Sequence, residues 1–322
     1  MGKGSHVRVV SVYCSDGIKL RCSHAIEACS WWGSFFYCGV MNDDFDWLIE
    51  RALAEDVGTG DVTVQYFVPE ERQATALLVA RQEGVIAGSE LARRVFLKVD
   101  PSLSVDVLIE DGARVATGAI VMKISGSARS ILTAERTALN FMQRLGGIAT
   151  QTHEYVQMVD GTQAKILDTR KTTPGWRKLE KAAVLSGGGV NHRMGLYDRA
   201  MVKDNHLVAE GGIAALQEAI LRLKQERPEV EVELEADRLS QVAEFLEMTD
   251  VDYILLDNMS LAELREAVEM RGVRTKPMLE ASGGVNLDSV RPIARTGVDF
   301  ISVGALTHSV KAMDLALDFV AS

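Results

Sequence analysis

The stretch EVELEADRLSQVAEFLEMTDVDYILLDNM, residues 231–259, decides the fold class. Two short apolar runs, each followed by acidic or polar residues, flank the segment LSQVAEFLEM, in which apolar residues recur with helical spacing. A strand, a helix and a second strand in this order form a βα repeat, whose strands lie parallel in one sheet. The stretch therefore predicts an α/β fold built on a parallel sheet.

The same pattern recurs through the second half of the chain. The apolar runs are AKILDTRK, AMVKDNH, VEVELEAD, DYILLDN, PMLEASGG and FISVGA. Glu235, Asp257, Glu280 and Gly304 stand at the ends of four successive runs, with the spacing of βα units. Polar residues at the carboxyl ends of such strands are typical of a (β/α) barrel, whose site lies on that face. Since these runs are fewer than the eight strands of a full barrel, we expect an incomplete (β/α) barrel.

A second domain is expected before the barrel. Residues 41–145 combine β-rich stretches that contain glycine turns with the start of an amphipathic helical stretch, TAERTALNFMQRLGGIAT. We expect this mixed α+β domain at residues 41–145, the barrel at 146–308 and a C-terminal helix at 309–322.

The first 40 residues differ in composition from the rest of the chain. They contain all four cysteines, whose spacing fits no CxxC metal motif. We expect residues 1–40 to be a poorly ordered extension outside the fold, followed by a helix with an acidic cap at residues 42–44. The cysteine-free body is typical of a reducing compartment, so we expect a cytoplasmic protein.

The positive charge of this acidic chain is concentrated in one window. The net charge is −10, yet residues 165–206 contain nine Lys and Arg against four acids. Such local charge favours a small, highly anionic ligand, whereas nucleic-acid binding usually comes with a basic domain. No apolar stretch of the sequence approaches the ~18 residues that span a bilayer. We therefore expect neither a nucleic-acid nor a membrane partner.

The strand ends of a barrel would gather many of these cations on one rim. Arginine binds carboxylate or phosphate with two parallel hydrogen bonds, and a Ser-Gly-Gly turn offers backbone N–H groups to phosphate. Alone, Glu235 or Asp257 would fit a buried ion pair, and His192 would fit a structural histidine. Together the residues indicate transfer of a phosphorylated sugar to an anionic acceptor. The residues brought together are Arg170, Lys171, His192, Arg193, Lys203, Glu235, Asp257, Ser282, Gly283, Gly284, Gly304 and Ala305.

Five motifs resemble one family. DTRKTTPGWR, GGGVNHRMGLYDRAMVKDNH, LLDNM, EASGGV and SVGALTHS, in this order, closely resemble the quinolinate phosphoribosyltransferases, and the resemblance extends from about Met41 to the C-terminus. It implies an N-terminal α+β open-faced sandwich domain in front of the incomplete barrel. It also implies that quinolinate and phosphoribosyl pyrophosphate react with the help of Mg²⁺, releasing pyrophosphate and CO₂. The product would be nicotinate mononucleotide, in de novo NAD biosynthesis.

The resemblance also implies roles for individual residues. Lys171, Lys203, Glu235 and Asp257 are expected to be catalytic, with Glu235 and Asp257 facing the ribose and the metal. Glu233 is the alternative to Glu235, because the VELEAD motif fits two registers. The residues expected around the quinolinate carboxylates are Arg136, Thr169, Arg170, Lys171, His192, Arg193 and Lys203. Those expected to cradle phosphate are Ser282, Gly283, Gly284, Gly304, Ala305 and Leu306.

A homodimer is implied as well, with Arg136 reaching the neighbouring subunit's site. Arg136 lies on the helix before the barrel, and reaching the rim of its own barrel from there is awkward. Three other interpretations stay open at this point. They are a related phosphoribosyltransferase for a different aromatic acid, a paralogue associated with molybdenum transport, and a non-enzymatic barrel that senses nucleotides or phosphate.

Overall fold

The structure is a computed structural model that describes residues 45–203 and 212–320, and also the backbone of residues 11–13 and 19–21. The chain forms two compact units, Met1–Asn42 and Asp43–Ser322. In the first unit, β1 (Ser11–Tyr13) pairs with β2 (Lys19–Arg21) in an antiparallel ribbon. The rest of the predicted extension and the predicted acidic cap at residues 42–44 lie outside the described residues.

The second unit begins with an α+β portion. Its helices are α1 (Asp46–Val57), α2 (Val62–Phe67), α3 (Ser89–Val99) and α4 (Ala128–Met158). Its strands are β3 (Gln73–Ala80), β4 (Gly84–Val85), β5 (Ser104–Val107), β6 (Arg114–Val115) and β7 (Ile120–Ser127).

An antiparallel sheet forms the centre of this portion. The strands β3, β5 and β7 join one further strand, described below, in a four-stranded sheet, while β4 and β6 form a separate ribbon. Helix α3 packs on α4 and buries Leu91, Val95 and Phe96. Helices laid on such a sheet form an α+β sandwich, so the predicted architecture of this domain is confirmed.

Helix α4 is the long element that connects the two halves of the unit. Its apolar face buries Ala134, Ala138, Phe141 and Leu145, which share one side of a helix. Ser127 caps its start by accepting a hydrogen bond from the N–H of Ser130 at 3.4 Å. The domain boundary predicted between residues 145 and 146 therefore lies inside a continuous helix.

The barrel portion alternates strands and helices. Its strands are β8 (Lys165–Leu167), β9 (Arg199–Val202), β10 (Glu231–Ala236), β11 (Tyr253–Asp257), β12 (Met278–Ser282) and β13 (Phe300–Ser302). Its helices are α5 (Arg177–Ser186), α6 (Ile213–Glu226), α7 (Leu239–Leu246), α8 (Leu261–Arg271), α9 (Leu287–Ala294) and α10 (Ala305–His308).

The six strands form one parallel sheet that does not close. Their order is β8-β13-β12-β11-β10-β9, so β8 and β9 lie at the two edges. A single bridge from Leu167 to Val190 holds the segment after α5 beside β8. The predicted incomplete (β/α) barrel is confirmed. Because all strands run in the same direction, their carboxyl ends meet at one rim.

Alternation along the strands separates an apolar layer from a polar interior. In β10, Val232, Leu234 and Ala236 are fully buried apolar residues on one face. Glu233 lies on the other face and is also completely buried. The barrel therefore contains charged groups below its rim.

The prediction of a C-terminal helix at residues 309–322 is wrong. The structure has a strand, β14 (Leu315–Phe319), which pairs antiparallel with β3 and completes the four-stranded sheet. Leu and Ala favour helices, but the free edge of β3 offers a row of unpaired backbone groups that β14 satisfies. The chain thus returns from the barrel to the sheet of the α+β portion.

Within the residues that the structure describes, no helix is both long and apolar enough to cross a bilayer.

Candidate active site

The carboxyl ends of the barrel strands bring most of the expected site residues to one rim. Thr169, Arg170 and Lys171 follow β8 after one intervening residue, and Lys203 follows β9. Glu235, Asp257 and Ser282 lie in the last two residues of β10, β11 and β12, where Asp257 is the register partner of Ser282. Gly304, Ala305 and Leu306 follow β13.

The loop after β8 is fixed to the helix after β13. The backbone carbonyl of Lys171 accepts a hydrogen bond from the Thr307 hydroxyl at 2.7 Å. Lys171 N–H donates to the hydroxyl of Thr169 at 3.1 Å. A Cβ on Gly304 would lie 3.2 Å from Cδ of Lys171, so the lysine side chain passes close over this glycine. Lys171 and the turn at Gly304 therefore belong to the same part of the rim.

Two arginines lie close together on the rim. Burial lowers the pKa of Arg193, and the positive charge of Arg170 lowers it further. The buried Nε of Arg170 has no hydrogen-bond partner among the described residues. Nη1 of Arg193 donates to the carbonyl of Arg199 at 3.1 Å, and this hydrogen bond holds the side chain in place. Two half-buried guanidinium groups that feel each other's charge can together bind an anion.

The rim carboxylates lie on neighbouring strands. Glu235 forms an ion pair with Lys203, and Asp257 accepts a hydrogen bond from Nδ2 of Asn258 at 2.8 Å. Carboxylate oxygens are ligands that Mg²⁺ prefers, so Glu235 and Asp257 at the open rim fit this ion. Glu233, the other register considered, is completely buried below the rim.

The Ser-Gly-Gly turn requires glycine at its centre. Gly283 has φ +105°, and a Cβ there would lie 2.2 Å from Oδ1 of Asn258. Gly284 has φ +59°, but no atom lies within 4 Å of the position that its Cβ would take. Asn286 caps α9 by accepting from the N–H groups of Asp288 and Ser289, both at 3.0 Å. A phosphate would therefore meet the backbone of the turn rather than those two N–H groups.

Leu306 is completely buried, so only its backbone can face a ligand. His192 is also buried, and both of its ring nitrogens are engaged inside the protein. Nδ1 accepts from the N–H of Arg193 at 2.7 Å, and Nε2 lies 3.1 Å from a carboxylate oxygen of Glu233.

Arg136 is not brought to this rim by any contact seen in the structure. It is exposed on α4, and within residues 45–203 and 212–320 it has no hydrogen bond or ion pair with the other expected site residues. The remaining expected residues lie at or beneath the carboxyl ends of the barrel strands.

A buried ion pair beneath the rim was missed by sequence reasoning. Asp168 and Lys181 are completely buried and form an ion pair. Burial raises the pKa of Asp168 to about 6, although Lys181 opposes the shift. Asp168 accepts from the N–H of His192 at 2.9 Å, and Lys181 donates to the carbonyl of His192 at 3.0 Å. The pair therefore anchors the loop that presents Arg193. In the sequence, the only sign of this ion pair was a lysine on the apolar side of α5.

Part of the local positive charge serves the fold. Arg177 donates to the hydroxyl of Thr172 at 3.0 Å and to the carbonyl of Met194 at 3.1 Å. The buried Glu180 accepts from the N–H of Thr173 at 3.1 Å and from Arg144 at 2.9 Å. These bonds fix the TTPGW loop, and they leave Arg170, Lys171, Arg193 and Lys203 as the rim cations.

An incomplete (β/α) barrel whose rim carries arginines, lysines, carboxylates and glycine turns defines the class of protein to which the chain is compared. Two family models match the chain: the N-terminal domain of quinolinate phosphoribosyl transferase at residues 61–146, and its C-terminal domain at residues 148–318. The chain belongs to the quinolinate phosphoribosyltransferase family. The two models meet close to the domain boundary expected from the sequence.

Individual relatives agree with this assignment. The chain is 45% identical over 291 residues to a protein of Nicotiana tabacum named quinolinate phosphoribosyltransferase (decarboxylating) 2a, mitochondrial, covering 85% of this chain and 82% of that protein. It is 45% identical over 277 residues to the nicotinate-nucleotide pyrophosphorylase (carboxylating) of Mycobacterium leprae, covering 84% and 95%. The solved nicotinate-nucleotide pyrophosphorylase of Francisella tularensis superposes with a TM-score of 0.79 at 39% identity, over 85% and 95% of the two chains.

Proposed function

We propose that the protein transfers the phosphoribosyl group of phosphoribosyl pyrophosphate to the ring nitrogen of quinolinate. One carboxylate is lost as CO₂, and the products are nicotinate mononucleotide and pyrophosphate, in de novo NAD biosynthesis. The proposal rests on the pair Arg170 and Arg193, half-buried cations at a rim that also carries glycine turns and two carboxylates. The names of the relatives support the same reaction.

The rim cations bind and orient the acceptor. Arg170 and Arg193 each offer a planar fork that pairs with a carboxylate, and Lys171 and Lys203 add point charges. Quinolinate has two carboxylates on adjacent carbons, one of them beside the ring nitrogen. Holding both fixes the direction of the nitrogen, which is aimed at the anomeric carbon of the ribose.

The turns and carboxylates on the other side of the rim bind the donor. The backbone of Gly283, Gly284 and Gly304 approaches the phosphates, and Glu235 and Asp257 face the ribose. Mg²⁺ would be held by Glu235 and Asp257 together with the donor, and when bound it neutralises the charge of the departing pyrophosphate. The same carboxylates stabilise the positive charge that develops on the ribose.

The movement of electrons explains the loss of CO₂. The ring nitrogen forms its bond to the anomeric carbon with its lone pair, while the carbon–oxygen bond to pyrophosphate breaks and its electrons leave with pyrophosphate. The nitrogen becomes cationic, so the adjacent carbon can keep the electron pair of its bond to the carboxylate as CO₂ departs. That carbon then takes up a proton. Lys171 and Lys203 are the catalytic lysines of this scheme.

A panel of acceptors separates this function from the alternatives. The protein is incubated with phosphoribosyl pyrophosphate, Mg²⁺ and either quinolinate or nicotinate, and products are identified by mass spectrometry. We expect nicotinate mononucleotide from quinolinate and little product from nicotinate. Turnover of nicotinate alone would indicate a phosphoribosyltransferase for another aromatic acid. Binding of nucleotide without turnover would indicate a sensor. Inactivity with both acceptors would favour the interpretation as a paralogue associated with molybdenum transport.

The enzyme is further proposed to be a homodimer that shares residues between its two sites. Arg136 is exposed on α4, and the adjacent helix α2 exposes Tyr66 by 80% and Phe67 by 81% of their surfaces. Exposed aromatic residues beside an exposed arginine fit the self-complementary surface of a twofold dimer. In such a dimer Arg136 reaches the carboxylates in the partner's site.

Subunit complementation tests this arrangement. Arg136→Ala and Lys171→Ala are each expected to be nearly inactive, because each removes a cation from every site. When the two variants exchange subunits, about half of the dimers are mixed, and each mixed dimer has one intact site, giving roughly a quarter of wild-type activity. Isolated mixed dimers without activity would contradict shared sites and assign Arg136 to its own barrel or to the fold.

The reaction uses small molecules, so nucleic acid and membrane are not proposed as partners. The local charge at the rim, within a chain of net charge −10, favours compact anions over a polymer. A cytoplasmic location is proposed from the cysteine-free body of the chain. Fractionation of cells that produce the protein, with an antibody against it, tests the location.

A further inference from the structure

A buried acidic cluster lies beneath the rim, and the proposed reaction does not use it. It consists of His192, Glu233 and Glu280, and both glutamates are completely buried. Nε2 of His192 lies 3.1 Å from a carboxylate oxygen of Glu233 and 3.5 Å from one of Glu280. The hydroxyl of Ser302 donates to the other oxygen of Glu280. Two charged side chains in the interior of a barrel are costly to bury, so the cluster calls for a role.

The composition of the cluster would suit a metal ion, but the histidine tautomer opposes it. One nitrogen or oxygen from each of the three residues lies within 4.8 Å of the others. However, Nδ1 of His192 accepts a hydrogen bond from the N–H of Arg193 at 2.7 Å, so Nδ1 carries no proton. The proton of the neutral ring is then on Nε2, which faces the glutamates and cannot also coordinate a metal.

Hydrogen bonds among these groups are the alternative to a metal ion, although Oε2 of Glu233 and Oε2 of Glu280 have no hydrogen-bond partner among the described residues. Nε2–H of His192 donates to Oε1 of Glu233 at 3.4 Å, and Nη1 of Arg199 lies 3.5 Å from Oε2 of Glu233. Burial together with the charge of Glu233 raises the pKa of Glu280 well above its usual range. A proton on Glu280 would link the two carboxyl groups, while Oε1 of Glu280 accepts from the hydroxyl of Ser302.

We propose that Glu233 and Glu280 are positioning residues for the acceptor site: they hold His192 as the Nε2–H tautomer, and Nδ1 of His192 then fixes the backbone of Arg193. This inference rests on the proposed function, because Arg193 is taken to bind a quinolinate carboxylate. The ion pair of Asp168 and Lys181 holds the backbone of His192 from the other side. Arg193 is thus fixed through its own N–H and through the residue before it.

The tautomer can be measured without any activity assay. Histidine labelled with ¹⁵N distinguishes a protonated from an unprotonated ring nitrogen by NMR, and the signals of His192 are assigned by their absence from His192→Asn. We expect a proton on Nε2 and none on Nδ1 in the wild-type protein. A proton on Nδ1 would overturn the proposal, because that nitrogen could then no longer accept from Arg193. A spectral change on adding Zn²⁺ alone at this histidine would also overturn it, in favour of a metal site.

Kinetics then test the effect on the acceptor site. Glu280→Leu removes the donor to Glu233, and we expect the KM for quinolinate to rise roughly tenfold, the effect of weakening one charged hydrogen bond. The KM for phosphoribosyl pyrophosphate should change much less. Glu280→Gln keeps a neutral donor and an acceptor for Ser302, so it should rescue the quinolinate KM to within about threefold of wild type.

A buried carboxylate at the opposite end of the barrel provides the control. Asp252 precedes β11 and accepts from Lys224 at 2.8 Å and from Lys276 at 2.6 Å. Asp252→Asn should lower thermal stability without raising the quinolinate KM. If Glu280→Gln is as defective as Glu280→Leu, or if both substrates are affected equally, the two glutamates serve only the fold. If the wild-type protein has no activity, the proposed function fails, while the tautomer measurement still judges the cluster.

Discussion

The substitution Lys181→Met tests the ion pair that anchors the acceptor loop. The side chains of Lys181 and Asp168 are 1% and 0% exposed, and within the described residues the carboxylate of Asp168 has no other cation in contact. Methionine fills a similar volume but cannot pair with Asp168, so the substitution leaves a buried charge uncompensated. It also removes the hydrogen bond from Nζ to the carbonyl of His192.

The expected cost follows from the burial of the pair. Removing one partner of a buried ion pair costs about 3–5 kcal/mol. The unit from Asp43 to Ser322 contains about 280 residues, whose unfolding entropy converts this free energy into a fall in Tm of about 5–9 °C. Differential scanning calorimetry and chemical denaturation measure the two quantities.

The effect should depend on pH in a defined direction. The pKa of Asp168 in the folded protein, about 6, lies above its ordinary value of 3.8, so the folded state binds this proton more tightly than the unfolded state. The stability that this proton contributes is present at low pH and is lost as pH rises through the folded pKa. Without Lys181 that pKa rises further, so the penalty of Lys181→Met should be smaller at about pH 5 than at about pH 8.

Lys178→Met is the matched control, because Lys178 is an exposed lysine on the same helix. It should change the free energy of unfolding by less than about 1 kcal/mol. The reasoning would be refuted if Lys181→Met cost as little as this control, or if its penalty were the same at both pH values.

Three further predictions concern the rim and the extension. Arg193→Lys keeps the charge but loses the planar guanidinium fork, so quinolinate should bind roughly tenfold to a hundredfold more weakly. The kinetics with phosphoribosyl pyrophosphate should be nearly unchanged. Unchanged quinolinate kinetics would remove Arg193 from the site. Gly283→Ala places a Cβ 2.2 Å from Oδ1 of Asn258, so the KM for phosphoribosyl pyrophosphate should rise at least as much as that for quinolinate, whereas Gly284→Ala, with no atom within 4 Å, should be milder. A chain that starts at Met41 should match the full chain in Tm and activity, and a large loss of either would show that residues 1–40 support the body.

The parallel sheet could be predicted because its signals are local. Short apolar runs, regular helical segments and polar strand ends lie next to one another in the sequence, and each marks one βα unit. The end of the chain could not be predicted in this way. LALDF at residues 315–319 becomes a strand only because β3, far earlier in the chain, offers a free edge, and local patterns do not report a partner at such a separation.

Most of the rim could be predicted for a similar reason, since most of its residues follow a strand end. The support beneath it could not. His192 lies 41 residues from Glu233, and nothing near either residue in the sequence indicates their contact. The same holds for Lys181, which a helical pattern places near the apolar face of α5 without revealing that Asp168 is its partner there. Buried polar partners depend on tertiary proximity, which the sequence pattern does not report.

The central claim is that ribosylation of the ring nitrogen releases the neighbouring carboxylate. Quinolinate labelled with ¹³C in the carboxylate beside the nitrogen is incubated with the protein, Mg²⁺ and phosphoribosyl pyrophosphate, and labelled CO₂ and nicotinate mononucleotide are quantified together. We predict equal amounts of labelled CO₂ and of unlabelled nicotinate mononucleotide, and no CO₂ when phosphoribosyl pyrophosphate is left out. Label retained in the nucleotide, or CO₂ released without the phosphoribosyl donor, would contradict the account.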